Sequence, residues 1–140
     1  MATSKEVAEY VRHKSRPFIF SASITPASCA VALAALRYLE KHPEIVSKLS
    51  HISAYARKRF TEKNISIRMS ETPIIPIYTY DTFNTLEKAK EIYDAGVYVN
   101  PVLPPATPAT ECLLRTSYMA SHTEALIDEA VDIIASVLNR

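Results

Sequence analysis

Residues 111–118 read ECLLRTSY, and this stretch sets the centre of the predicted fold. Its run of apolar and β-branched residues predicts a β-strand. Because side chains alternate along a strand, they divide between two faces. One face carries Cys112, Leu114 and Thr116, and the other carries Leu113, Arg115 and Ser117. The pattern therefore places a guanidinium on a strand that looks half-buried, where a charge needs a partner.

Two alternatives account for Arg115. The first is an internal ion pair with an acid such as Glu111, or with an acid from another element. The second is an anion site, because the planar fork of a guanidinium matches a carboxylate. Residues 100–108 contain four of the nine prolines, and each proline fixes a backbone φ angle. A stiff loop directly before Arg115 favours a preorganised anion site.

The helical spacing of apolar residues predicts five helices, over residues 3–14, 26–41, 44–63, 84–95 and about 123–138. Thr25 is the expected N-cap of the second helix, with Pro26 at its first position. Gly96 is the expected residue after the end of the fourth helix. The helix over 26–41 is apolar nearly all round, which predicts that it is buried.

Short β-branched runs predict strands at residues 65–67, 74–80, 97–99 and 111–118. Pro76 within the second run indicates an edge strand or a bulge. The predicted order is three helices followed by β-β-α-β-β-α. Strands and helices do not alternate strictly, so the predicted fold is α+β: a small, mostly antiparallel sheet with helices on one face. Residues 1–140 are expected to form a single domain.

Composition narrows the possible partners. The net charge is +1 with no long run of one sign, which argues against nucleic acid as a partner. The chain has one glycine, so it has no glycine-rich phosphate loop. Cys29 and Cys112 lie far apart and form no metal motif. Both are expected to be buried and reduced, which predicts a cytoplasmic protein.

The segment 17–24 is uncharged and is expected to be extended. The uncharged run continues to Leu36, but the hydroxyl residues and Pro26 within it argue against a transmembrane helix. Ser21 would by default form a local capping bond. His122 precedes the last helix and is expected to be structural rather than a general base. The residues predict no catalytic constellation within the chain and no metal site.

Three stretches carry a resemblance to a known family: RPFIFSASITPA (16–27), PPATPA (104–109) and LLRTSYMASHT (113–123). Together they resemble the α-oxoamine synthases, enzymes that depend on pyridoxal phosphate. The group includes serine palmitoyltransferase, 8-amino-7-oxononanoate synthase and glycine C-acetyltransferase. The resemblance implies condensation of an amino acid with an acyl-CoA and decarboxylation, in sphingolipid or biotin biosynthesis.

The resemblance covers nearly the whole chain but only the C-terminal third of such enzymes. It implies the small domain of fold type I enzymes, acting in a homodimer. The large domain, with the lysine that holds the cofactor, would precede Met1, so this chain by itself is expected to be inactive.

The family motifs assign roles to two residues. Arg115 matches the arginine that binds the substrate carboxylate. Ser21 matches the hydroxyl that contacts the cofactor phosphate of the neighbouring subunit. Leu103 departs from the pattern, because some bacterial serine palmitoyltransferases have an arginine directly before PPATP. The competing hypothesis is a free-standing α+β interaction domain in which Arg115 forms a structural ion pair.

Overall fold

The structure, a computed structural model, describes residues 3–140 and divides the chain into two compact units. Unit 1 is Met1–Lys41 and unit 2 is His42–Arg140. Unit 1 contains three helices: α1 (Lys5–Lys14), α2 (Arg16–Ile19) and α3 (Pro26–Lys41). Unit 2 contains α4 (Glu44–Glu62), β1 (Ile74–Tyr80), α5 (Thr82–Asp94), β2 (Asn100–Val102), β3 (Cys112–Ser117) and α6 (Glu124–Leu138). The five predicted helices are confirmed.

Local capping accounts for the starts of α1 and α3 in unit 1. The Ser4 hydroxyl accepts a hydrogen bond from the Val7 amide at 3.4 Å. The Thr25 hydroxyl accepts one from the Ser28 amide at 3.2 Å, as expected for the N-cap of α3. The prediction that residues 17–24 are extended is wrong at its start, because α2 runs to Ile19. Pro17 lies in the first turn of α2, where its fixed φ angle suits a helix.

Helix α3 has no buried residue, so the prediction that it is buried is wrong for this chain. Val31, Leu36 and Tyr38 are each more than half exposed. Cys29 is likewise exposed, whereas Cys112 is buried as predicted, and both are free. The cause is the size of unit 1, since a unit of about 40 residues has too little chain to cover an apolar helix.

The sheet of unit 2 has three antiparallel strands in the order β1-β3-β2. Pro76 lies on β1, an edge strand with a register shift between Tyr78 and Tyr80, as its sequence indicated. Strand β2 begins at Asn100, so the prediction of a strand over 97–99 is wrong. Residues 65–67 contribute an isolated bridge from Ile67 to Ile77 rather than a strand. Pairing with β3, a non-local effect, decides where β2 begins.

One face of the sheet is buried beneath helices. Helix α5 contacts all three strands, α4 contacts β1, and α6 contacts α4 and α5. Gly96 has a φ of +100° and follows α5, where left-handed backbone closes the helix. Its amide bonds the Tyr93 carbonyl, and the Val97 amide bonds the Ile92 carbonyl. The largest fully buried side chains are Phe60, Ile75, Ile77, Ile92 and Leu114.

Polar contacts join α4 to α6 at the edge of this core. The Arg59 Nε donates to Asp128 Oδ1 at 2.6 Å, and the Tyr55 hydroxyl donates to the same carboxylate at 2.9 Å. His51 contacts Glu124 at 2.8 Å. The Tyr55 and Arg59 hydrogen bonds hold the pKa of Asp128 below its usual value. The carboxylate form therefore supports the packing of the two helices.

Candidate functional site

The face of the sheet opposite the core, called here the open face, carries Arg115. Strand alternation and the cross-strand register assign eight residues to it. They are Ile74, Pro76, Tyr78, Asn100, Val102, Leu113, Arg115 and Ser117. Arg115 is exposed, whereas its neighbours Leu114 and Thr116 are buried on the opposite face. Among these eight residues, Arg115 alone carries a charge.

Arg115 occupies the middle of a row that crosses all three strands. Pro76 on β1 and Asn100 on β2 are its direct cross-strand partners. With the Asn100 amide oriented by its hydrogen-bonding partners, its oxygen accepts from Arg115 Nη2 at 2.9 Å. The sequence pattern did not single out Asn100, because it placed this residue in the proline loop rather than on a strand.

Within residues 3–140, Arg115 has no ion pair. Glu111, the acid suggested as its partner, instead makes backbone hydrogen bonds to Thr107 and Pro108. Arg115 is also more exposed than the sequence pattern suggested. The described part of the chain therefore gives no support to a structural ion pair.

Hydrogen bonds between residues close in sequence organise the proline loop between β2 and β3. The Ala106 amide donates to the Leu103 carbonyl at 2.9 Å. The Thr107 hydroxyl donates to the Glu111 carbonyl at 2.9 Å. Leu103 itself is half-buried and apolar. The loop thus connects the two strands that carry Asn100 and Arg115 without adding a charge at position 103.

Ser21 lies in unit 1, in the turn after α2, and is exposed. Its hydroxyl donates to the Pro17 carbonyl, the kind of local bond that the residue type predicts. Residues 10–39 contain no Asp or Glu, although they include Arg12, Arg16 and Arg37. A hydroxyl in an acid-free, basic segment is chemically suited to a phosphate, provided that it turns away from Pro17.

His122 forms a local hydrogen bond and a local ring contact. Its Nδ1 accepts from the Met119 amide at 3.3 Å, and its ring meets the Tyr118 ring edge-on at 6.3 Å between centroids. It precedes Thr123, the N-cap of α6. These contacts agree with the predicted structural role. Burial raises the pKa of Tyr118 to about 12, so this phenol stays protonated at neutral pH.

Arg115 gives the open face one charged fork among seven uncharged residues, an arrangement suited to an anion. Residues 3–140 contain no group of His, Cys, Asp and Glu side chains arranged to hold a metal ion. Of the helices they form, none combines the length and apolar character needed to cross a bilayer. Ser21 and Arg115 belong to different units.

Comparison with known proteins assigns the family. The model of the aminotransferase class I and II family matches residues 1–134. The chain belongs to this family. The serine palmitoyltransferase of Bacteroides thetaiotaomicron is 42% identical over 132 residues, which are 94% of this chain and 34% of that protein. The 8-amino-7-oxononanoate synthase 1 of Bacillus subtilis is 32% identical over 133 residues, 95% of this chain and 34% of that protein.

Solved structures of the family confirm the predicted fold. A serine palmitoyltransferase with a pyridoxal-phosphate internal aldimine superimposes with a TM-score of 0.84 and 27% identity, over 99% of this chain and 35% of that one. The Sphingomonas wittichii serine palmitoyltransferase gives 0.82 and 25%, with the same coverage. The resemblance to α-oxoamine synthases is thereby confirmed. This chain spans about a third of the length of the curated relatives that it matches.

Proposed function

We propose that this chain is the C-terminal domain of a larger pyridoxal-phosphate-dependent α-oxoamine synthase, which condenses an amino acid with an acyl-CoA and releases carbon dioxide. Its membership of the aminotransferase class I and II family supports this function. So does the coverage of only about a third of each relative. The large domain, with the lysine that holds the cofactor, belongs to the rest of that protein.

The observation that carries the proposal is the state of Arg115. Its guanidinium is exposed on the open face and has no ion pair in residues 3–140. Its role is to bind the carboxylate of the amino-acid substrate through two hydrogen bonds. This contact orients the amino acid and holds the group that is later released as carbon dioxide.

Pyridoxal phosphate, when bound, supplies the electron sink that stabilises a carbanion at the amino-acid α-carbon. This chain holds little of the cofactor. Ser21 is the residue proposed to donate its hydroxyl hydrogen to the cofactor phosphate of the neighbouring subunit in a homodimer. The absence of acidic residues from 10–39 supports a phosphate nearby. No lysine of this chain is assigned to the cofactor, so the chain by itself is proposed to be inactive.

Serine and a long-chain acyl-CoA are the favoured substrates. The serine palmitoyltransferases of two Bacteroides species are 42% identical to the chain, whereas the 8-amino-7-oxononanoate synthases compared are 31–33% identical. Leu103 precedes the PPATP run, so this chain supplies no arginine at that position. A role in sphingolipid synthesis follows from serine as substrate. A cytoplasmic location stays a prediction of the sequence.

The test is an assay of the full-length enzyme, loaded with pyridoxal phosphate, for release of free CoA. Palmitoyl-CoA and pimeloyl-CoA are assayed separately. Serine, alanine and glycine are compared at equal concentrations. The proposal predicts release that depends on the amino acid and is fastest with serine. Fastest release with alanine from pimeloyl-CoA would assign the chain to the 8-amino-7-oxononanoate synthases. No release with any pair would contradict the function altogether.

A further inference from the structure

We propose that Asn100 is a positioning residue, which holds the Arg115 guanidinium ready for a carboxylate without neutralising its charge. This role rests on the proposed function of Arg115 and adds a second residue to the same site. It follows from the cross-strand contact between the two side chains and from the chemistry of an amide acceptor.

The geometry brings the two side chains together through the sheet rather than through a loop. Asn100 on β2 and Arg115 on β3 are direct partners in the antiparallel register. Such partners have Cβ atoms about 5 Å apart, within reach of side-chain bonding. The hydrogen-bonding partners assign the Asn100 amide the orientation in which its oxygen accepts from Arg115 Nη2 at 2.9 Å and its nitrogen donates to the Pro101 carbonyl at 3.2 Å. In this orientation both polar ends of the Asn100 amide have partners.

The contact leaves most of the guanidinium available. An arginine carries five N–H donors, and the Asn100 oxygen uses one of those on Nη2. The other donors suffice for a two-point contact with a carboxylate. A free arginine side chain populates several rotamers, and selecting one costs binding free energy. Asn100 reduces that cost because it selects the orientation before the substrate arrives.

The neutral charge of Asn100 matters as much as its position. An Asp or Glu at this point would bind the guanidinium more strongly, because both groups would be charged. It would also cancel the charge that attracts a substrate carboxylate. The other cross-strand partner, Pro76, has no polar side-chain atom, so it neither anchors nor neutralises Arg115. The row Pro76–Arg115–Asn100 therefore anchors the cation and keeps its charge.

The experiment uses the full-length enzyme loaded with pyridoxal phosphate and compares Asn100→Asp, Asn100→Ala and Arg115→Ala. Steady-state constants are measured for the amino acid and for the acyl-CoA, and amino-acid binding is measured separately by calorimetry without acyl-CoA. Thermal unfolding is recorded for each variant. Asn139→Asp is the matched control, because it makes the same change of charge at an exposed asparagine that does not contact Arg115.

Asn100→Asp is expected to raise the amino-acid KM and Kd by roughly tenfold or more, close to the effect of Arg115→Ala, since it neutralises the guanidinium. Asn100→Ala is expected to raise them by about threefold, because the charge remains and only the orientation is lost. The acyl-CoA KM should stay within about twofold in both variants. Asn139→Asp should match the wild type.

If Asn100 has only a structural role, Asn100→Asp should be the milder of the two substitutions. Aspartate would then strengthen the link between β2 and β3, leaving amino-acid binding unchanged and the melting temperature equal or higher. That result, with Arg115→Ala still weakening amino-acid binding, overturns the positioning role and leaves the proposed function intact. If Arg115→Ala also leaves amino-acid binding unchanged, the proposed carboxylate site itself is wrong.

Discussion

Units 1 and 2 differ in how their apolar residues are used. Helix α3 of unit 1 is rich in alanine, valine and leucine, yet none of its residues is buried. In unit 2 the apolar faces of α4, α5 and α6 enclose a core with the sheet. An apolar helix pattern thus has opposite outcomes in the two units. The difference teaches that periodicity identifies an apolar surface, whereas only the surrounding chain decides whether that surface is covered.

The comparison between the units is tested most directly by a leucine-to-alanine substitution in each of them. Leu114→Ala removes a side chain with no exposed surface and should destabilise the 140-residue chain by about 2–5 kcal/mol. Leu36→Ala removes a side chain that is 56% exposed and should change stability by less than about 0.5 kcal/mol. Urea unfolding measures both. Similar losses would mean that α3 is packed as tightly as the core.

The charged site of unit 2 is tested through substrate binding in the full-length enzyme. Arg115→Ala is expected to raise the amino-acid KM tenfold or more, because hydrogen bonds to charged groups contribute about 1.5–3 kcal/mol each. The acyl-CoA KM should change little. Arg115→Lys should restore little, since an ammonium cannot supply a planar fork. Unchanged amino-acid binding together with reduced thermal stability would favour a structural arginine.

Unit 1 is expected to act on the cofactor rather than on the substrate. Ser21→Ala in the full-length enzyme should weaken pyridoxal-phosphate binding by about 1–2 kcal/mol. This is the scale of one hydrogen bond to a charged group, less the free energy of the Ser21–Pro17 bond that must break before Ser21 can reach the phosphate. Equilibrium dialysis measures the change. Cofactor affinity equal to that of the wild type would leave Ser21 with only its local bond in the turn after α2.

Mixed dimers sharpen the same prediction. One subunit carries Ser21→Ala, and the other lacks the cofactor lysine of the large domain. If Ser21 acts across the subunit boundary, the site that keeps its lysine regains nearly normal affinity, because its partner supplies an intact Ser21. Weak binding at every lysine-bearing site would instead place the effect within one subunit.

The smallest effect among these predictions is the loss of folding stability at low pH, which we expect to arise in unit 2. The pKa of Asp128 is lowered in the folded chain by the Tyr55 and Arg59 hydrogen bonds. An aspartate in an unfolded chain has a pKa of about 3.9. The contribution of this group is therefore present above that pH and is lost as the pH falls through the lower folded pKa. Between about pH 5 and 2, the melting temperature of Asp128→Asn should fall less with decreasing pH than that of the wild type.

The sequence by itself determined the five long helices, the strands that became β1 and β3, and the family. The caps at Thr25 and Gly96, the five helices and the strand that carries Arg115 were all predicted, because they depend on hydrogen bonds and periodicities within a few residues. The motifs around Ser21 and Arg115 also indicated the family, which comparison confirmed. The roles proposed for these two residues remain predictions.

Tertiary structure decided what depends on distant partners. Strand β2 begins at Asn100 rather than at residue 97 because its register is set by β3, which follows a proline loop. That pairing makes Asn100, not Glu111, the neighbour of Arg115. The exposure of α3 likewise depends on how much chain is present to cover it. Local pattern fixes which face of an element is apolar or charged, whereas contacts between distant residues fix what that face meets.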